Sequence, residues 1–139
     1  MISALDVSTS ALVAQRVRLN TISGNIANMS TIVDENGENK PYQPRYVEFQ
    51  TDEENAAQGM AAVKVSSVKT DTSEPNYRYR PDHPLAATEG KWKGHVAYPK
   101  INMNEQFVDA LEASRAYEAN IGVMEVSKSI LRQNLSILA

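Results

Sequence analysis

LDVSTSALVAQRVRLNTISGNI, residues 5–26, sets Leu5, Leu12, Leu19 and Ile26 at intervals of seven. A seven-residue apolar repeat keeps one seam of a helix turned toward a partner helix. Ile22 and Met29 extend the stripe, Ser8 and Gln15 interrupt it, and Arg16 and Arg18 fall on the polar side. The far end of the chain repeats the pattern. Ile121, Met124, Lys128, Leu131, Leu135 and Leu138 follow one another at steps of three and four. All six prolines lie between these two segments. The spacing predicts helices over residues 3–29 and from 102 or 104 to 138, about 40 and 50 Å long at 1.5 Å per residue. Asn102 and Asn104 are the candidate caps of the second helix, and Glu105 suits its first turn. The fold class is therefore mainly α with a small β region. Residues 1–31 form an N-terminal coiled-coil helix, 32–100 a small β and irregular middle, and 101–139 a C-terminal coiled-coil helix that pairs with 1–31.

The middle reads as short strands. Residues 45–50 alternate in polarity, as a half-buried strand does. Residues 62–70 resume the alternation with a phase shift at Ser66 and Ser67, the signature of a bulge. Residues 77–80 alternate again and stop at Pro81, and residues 95–98 form a last short strand. Residues 51–59 read as an acidic loop. Gly24 sits inside the first helix, where a glycine costs about 1 kcal/mol relative to alanine and usually permits close packing or a bend.

Composition removes several functional classes. The 139 residues contain no cysteine, which excludes disulfides, zinc–thiolate sites and thiol catalysis. Net charge is −3, against a nucleic-acid partner. No run of eighteen apolar residues exists, so no membrane span is expected. The first residues lack the basic region of a cleaved signal peptide. His83 and His95 are the only histidines, and they lack the spacing of a helical metal pair. No glycine-rich phosphate loop or calcium loop is present, so neither catalytic nor metal residues nor a cofactor are expected. Lys91-Trp92-Lys93 reads as a surface hairpin tip rather than a base-stacking platform. Asn25 and Asn28 flank Ile26 on one helix face. They are either ordinary helix-end polarity or amides that fix the register of a helix–helix contact.

A family resemblance rests on particular residues. Residues 10–20 followed by Ser23-Gly24-Asn25-Ile26-Ala27-Asn28 resemble the N-terminal signature of bacterial flagellar rod, hook and axial proteins. Pro41-Tyr42, Val47-Glu48-Phe49, Asp82-His83-Pro84-Leu85-Ala86 and Pro99-Lys100-Ile101-Asn102-Met103 resemble the small proximal rod proteins, the FlgC family. Phe107-Val108 and residues 113–120 complete the likeness, which covers nearly the whole chain. Residues 89–96 look several residues longer than the family pattern, and residues 51–60 are individual.

The resemblance implies a structural subunit of the flagellar basal-body rod, the hollow shaft that crosses the periplasm. It implies export through the flagellar type III apparatus without cleavage, then polymerisation with copies of itself and other rod proteins. Leu5, Leu12, Leu19, Ile22, Asn25, Ile26, Asn28, Phe107, Tyr117, Ile121, Met124, Leu131, Leu135 and Leu138 are the expected subunit-packing residues. A helical-hairpin adaptor or secretion chaperone is the alternative. It would form a discrete dimer, whereas a rod subunit stays monomeric or forms filaments.

Overall fold

The computed structural model describes residues 4–53 and 61–138, the side chain of Leu138 excepted. The expected helix start at Ser3, most of the acidic 51–59 loop and the packing of Leu138 thus lie outside the described residues. The element order is α1 (Ala4–Ala27), β1 (Arg45–Asp52), β2 (Ala62–Thr70), β3 (Asn76–Tyr79), β4 (His95–Tyr98) and α2 (Met103–Leu138). Of the two expected caps, Asn102 is the one that works. Its side-chain oxygen accepts the Asn104 N–H at 3.1 Å, and its carbonyl accepts the Gln106 N–H at 3.0 Å.

The helices lie side by side and antiparallel, since Asn25 bonds Gln106 while Arg18 reaches Asp109 and Glu112. The surfaces that meet are not the leucine heptads. In α1 the fully buried positions are Ser8, Ala14, Ile22 and Asn25; in α2 the fully buried position is Ala113. Ser8, the residue expected to interrupt the stripe, is thus inside it. Leu5, Leu12, Leu19 and Ile26 sit one step round the helix and are half-buried. Small side chains let the two backbones approach closely, and the bulky leucines are displaced to the flank. Gly24 does not serve that approach, because a Cβ there would meet nothing within 4 Å. Arg18 is not on the polar side either; it bridges the helices, 3.0 Å from Asp109 and 3.4 Å from Glu112.

β1 and β2 pair antiparallel, and the expected bulge is present: Glu48 faces Ser67 but Phe49 faces Val65, which leaves Ser66 unopposed. A lone two-stranded sheet is marginal in water, and this one rests on α1. Ala62 is buried, and the Val63 N–H donates to Ser10 Oγ at 3.1 Å. Across the exposed face Lys69 donates to Glu48 at 2.8 Å. This hydrogen bond holds the Glu48 carboxyl below the usual range and the Lys69 ammonium above its own. The depressed carboxyl favours folding above its ordinary range and loses that effect as pH falls. The raised ammonium loses its effect as pH rises through the lysine range.

β3 and β4 form a second antiparallel pair whose Cα atoms approach neither helix nor the first sheet within 8 Å. It is held by its own aromatic cluster. Tyr77 stacks on Trp92 at 4.1 Å and 8°, and His95 meets Trp92 edge-on at 5.6 Å. Val96 is fully buried. Gly94, with φ of +75°, closes the turn; a Cβ there would lie 2.9 Å from the Tyr79 ring. Trp92 thus spends its stacking face within the hairpin.

The whole is open. A folded monomer of 15.3 kDa exposes about 7,100 Å² by size scaling, and this chain exposes 9736 Å². The small-residue seam generates a direct expectation. Ala113 is 0 % exposed, so Ala113→Leu should overpack the helix crossing and destabilise the isolated chain by about 1–3 kcal/mol. Urea titration followed by helical circular dichroism checks this; an unchanged midpoint would mean the crossing has room.

Candidate assembly surface

The site is built from the α1–α2 seam outward. Asn25 is only 2 % exposed, and each polar atom of its amide has two partners. Its Nδ2 donates to the Arg45 carbonyl at 2.7 Å and to Gln106 Oε1 at 3.0 Å. Its Oδ1 accepts the Arg45 N–H at 2.8 Å and the Tyr42 hydroxyl at 3.2 Å. One side chain therefore fixes the end of α1, the first residue of β1 and the start of α2. Asn28 does less. Its Nδ2 donates to the Gly24 carbonyl at 2.9 Å and its Oδ1 accepts from Thr31 at 3.2 Å, closing the C-terminal turn of α1. Of the two readings of these asparagines, the register-fixing one describes Asn25 and the helix-end one describes Asn28. Both amides are satisfied within the chain.

From Gln106 onward the α2 seam runs through Ala110, Ala113, Tyr117, Asn120, Met124 and Ser127, at strict steps of four and three, all half-buried or buried. Carried along at equal rise, the antiparallel register puts Ala4 level with about residue 127. Residues 128–138 therefore extend past the described start of α1. Leu131 and Leu135 continue the α1-facing stripe past Met124, but beyond α1 they have no helix to meet among the described residues. Leu131 is 49 % and Leu135 66 % exposed. Ile121 is exposed as well. On a flank about a third of a turn round from that stripe Val123, Val126, Ile130 and Ile137 are exposed, at steps of three, four and seven. Nearer the start of α2, Met103, Phe107, Val108 and Leu111 form another exposed apolar patch. Exposed apolar surface this extensive, concentrated on one helix, marks an interaction surface.

Two groups of expected packing residues thus part company. Ile22, Asn25, Tyr117 and Met124 lie in the seam within the chain, with Leu5, Leu12, Leu19 and Ile26 beside it. Phe107, Ile121, Leu131 and Leu135 are left outward. Val123, Val126, Ile130 and Ile137 belong with the latter; the sequence reading missed them, although their steps of three, four and seven form a second period on α2. Gln106 and Tyr42 carried no sequence signal, because their importance comes from meeting Asn25 in space. The histidines have local roles. His83 Nδ1 accepts the Leu85 N–H at 3.1 Å, and His95 lies 3.0 Å from the Lys93 carbonyl. Among the described residues no cluster of three metal-binding side chains occurs, and no helix is long and apolar enough to cross a membrane.

Comparison with known proteins bears on this surface. A family profile described as "Flagella basal body rod protein" matches residues 5–32, and one described as "Flagellar basal body rod FlgEFG protein C-terminal" matches residues 93–137. These are the two helical ends. The flagellar basal-body rod protein FlgC of Borreliella burgdorferi is 37 % identical, over 99 % of this chain and 97 % of its own length. The FlgC proteins of Bacillus subtilis (37 % identical, 96 % and 95 % covered) and Salmonella typhimurium (34 %, 99 % and 97 %) are similar over the same extent.

The Asn25 geometry separates two substitutions that the sequence makes look alike. Asn25→Ala removes the partner of the part-buried Arg45 N–H and carbonyl and opens a hole at a buried position, and should cost about 2–3 kcal/mol. Asn28→Ala removes one helix-end closure and should cost about 0.5–1 kcal/mol. Thermal denaturation of both variants checks the difference, and equal losses would remove Asn25 from its central role.

Proposed function

This chain belongs to the FlgC family of flagellar basal-body rod proteins, a structural component of the basal body and not an enzyme, and from that premise we propose how it builds the rod. It polymerises through its terminal helices, with copies of itself and with other rod components, into the hollow shaft that spans the periplasm and transmits torque. The α1–α2 pair acts as a coiled coil in that polymer, its seam Ser8–Ile22 against Gln106–Ser127 and its leucine flank turned to neighbours. The single observation that carries this reading is the apolar C-terminal part of α2. Leu131 and Leu135 contribute almost nothing to the lone subunit, and a helical end of this kind gains about 25 cal/mol per Å² only when something covers it.

Export follows the same logic. A chain whose last residues, 128–138, have no helix to pack on until a neighbour supplies one is suited to travel unfolded through a type III channel and to complete its packing at the growing tip. The N-terminal segment is retained on this account, because α1 carries half of the seam. The adaptor alternative loses its ground with the family, since a discrete dimer does not use surface on several faces of one helix.

The double variant Leu131→Ala/Leu135→Ala tests the proposal. Both residues are largely exposed in the free chain, so its stability should change by no more than about 0.5 kcal/mol. Incorporation into basal bodies and swimming should nevertheless fall sharply. A variant that is exported normally and swims like the parent would refute assembly through this end of α2.

A further inference from the structure

We propose that Asn36–Gly37 is a site of spontaneous deamidation that the folded turn around Asp34 keeps closed. Of the asparagines in the chain, only Asn36 is followed by glycine. That neighbour matters because the nucleophile of the reaction is the backbone nitrogen of the next residue. Glycine has no Cβ to crowd the approach, and in an open chain its backbone turns freely. Both residues are exposed, so solvent reaches them in the folded chain. A Cβ built on Gly37 would meet nothing within 4 Å. Burial therefore protects neither of them.

The reaction balances with water alone. The Gly37 nitrogen attacks Asn36 Cγ, and the new N–C bond closes a cyclic imide. The Cγ–Nδ2 bond breaks, and Nδ2 leaves as ammonia with the proton that the Gly37 nitrogen gives up. Water then opens the ring at either carbonyl. One opening leaves aspartate at position 36. The other leaves isoaspartate, with the main chain running through Cγ.

The turn supplies the closure. Asp34 holds the dipeptide at both ends. Its Oδ1 accepts the Asn36 N–H at 2.9 Å and the Glu38 N–H at 3.0 Å. Its carbonyl accepts the Gly37 N–H at 3.0 Å, and its own N–H donates to the Glu38 carbonyl at 3.1 Å. The attacking nitrogen is thus engaged as a donor, and the proton it donates is the one that must leave. Gly37 is fixed at φ of +78°, in the left-handed region. The carboxylates of Asp34, Glu35 and Glu38, close in sequence, disfavour negative charge developing on that nitrogen. The reaction therefore runs through the fraction of molecules whose turn has opened.

The product acts on the same turn. Either form adds a charge to the acidic run, and isoaspartate inserts an extra carbon into the main chain. Asn39 lies just beyond, and its Nδ2 donates to the Leu85 carbonyl at 2.9 Å, tying this loop to the segment before β4. A rebuilt turn shifts that tie.

The test uses the full chain, native or unfolded in guanidinium chloride, incubated in the same warm neutral buffer. Isoaspartate at position 36 is followed by peptide mass spectrometry. The unfolded chain should accumulate it about tenfold faster than the native chain, since several backbone bonds must open first. Asp34→Ala, checked for native helix content by circular dichroism, should react at least about threefold faster than the parent. Asp34→Asn keeps an acceptor oxygen and should stay within about twofold of the parent. Equal rates in the native and unfolded chains would overturn the closure, and no product at position 36 in the unfolded chain would overturn the site. A native-like Asp34→Ala variant as slow as the parent would remove Asp34 as the closing residue. None of these outcomes depends on the rod reading.

Discussion

The four hydrogen bonds of the Asn25 amide are the constraint on which the rest of the arrangement depends. Arg45 enters β1 with both its N–H and its carbonyl bonded to Asn25, much as a neighbouring strand would bond it. Gln106 is held through the same Nδ2, and this fixes where α2 begins relative to α1. Everything further along α2 inherits that register. Arg18 meets Asp109 and Glu112, Ala113 reaches the centre of the crossing, and α2 runs out past the start of α1. A buried amide with all its bonds made is specific because any slip leaves several polar groups unpaired at once.

The seam selected by that register is unusual for a helix pair in setting small and polar residues beside Ile22, Tyr117 and Met124. Ser8, Ala14 and Asn25 are buried in α1 where leucine is available, and the leucines lie beside them half-covered. A leucine seam would stabilise the isolated hairpin more strongly and leave little apolar surface over. Here the lone chain keeps large side chains on its outside and exposes far more surface than its mass requires. The subunit is thus an unfinished object, and the missing stabilisation is the part that assembly supplies. The β3–β4 unit stands apart from this economy, held by Tyr77, Trp92 and Val96 within itself.

Much of the architecture was legible in the residues. Proline placement and apolar period marked both helices, Asn102 marked the start of α2, and the broken alternation at Ser66 marked the bulge in the first sheet. The facing surfaces were not legible in the same way. Period gave one apolar stripe on each helix, and on α1 that stripe was the leucine one. Which face turns inward is decided by close approach and by Asn25, and neither is encoded in a count of apolar residues. Arg18 misled for a similar reason: a long cation on a helix reads as solvent-facing until acids on the other helix come within reach. Leu131 and Leu135 were expected to pack between subunits and are exposed in the lone chain, but a single sequence does not say which surface receives them.

Hydrogen–deuterium exchange along α2, compared between the free chain and purified basal bodies, tests the central claim most directly. The account predicts that residues 106–120 are protected in both states, because the Asn25 register and the α1 seam hold them already. Residues 128–138 should exchange rapidly in the free chain and become protected only in the basal body. Equal protection of 128–138 in both states, or continued rapid exchange there in the assembled rod, would contradict it.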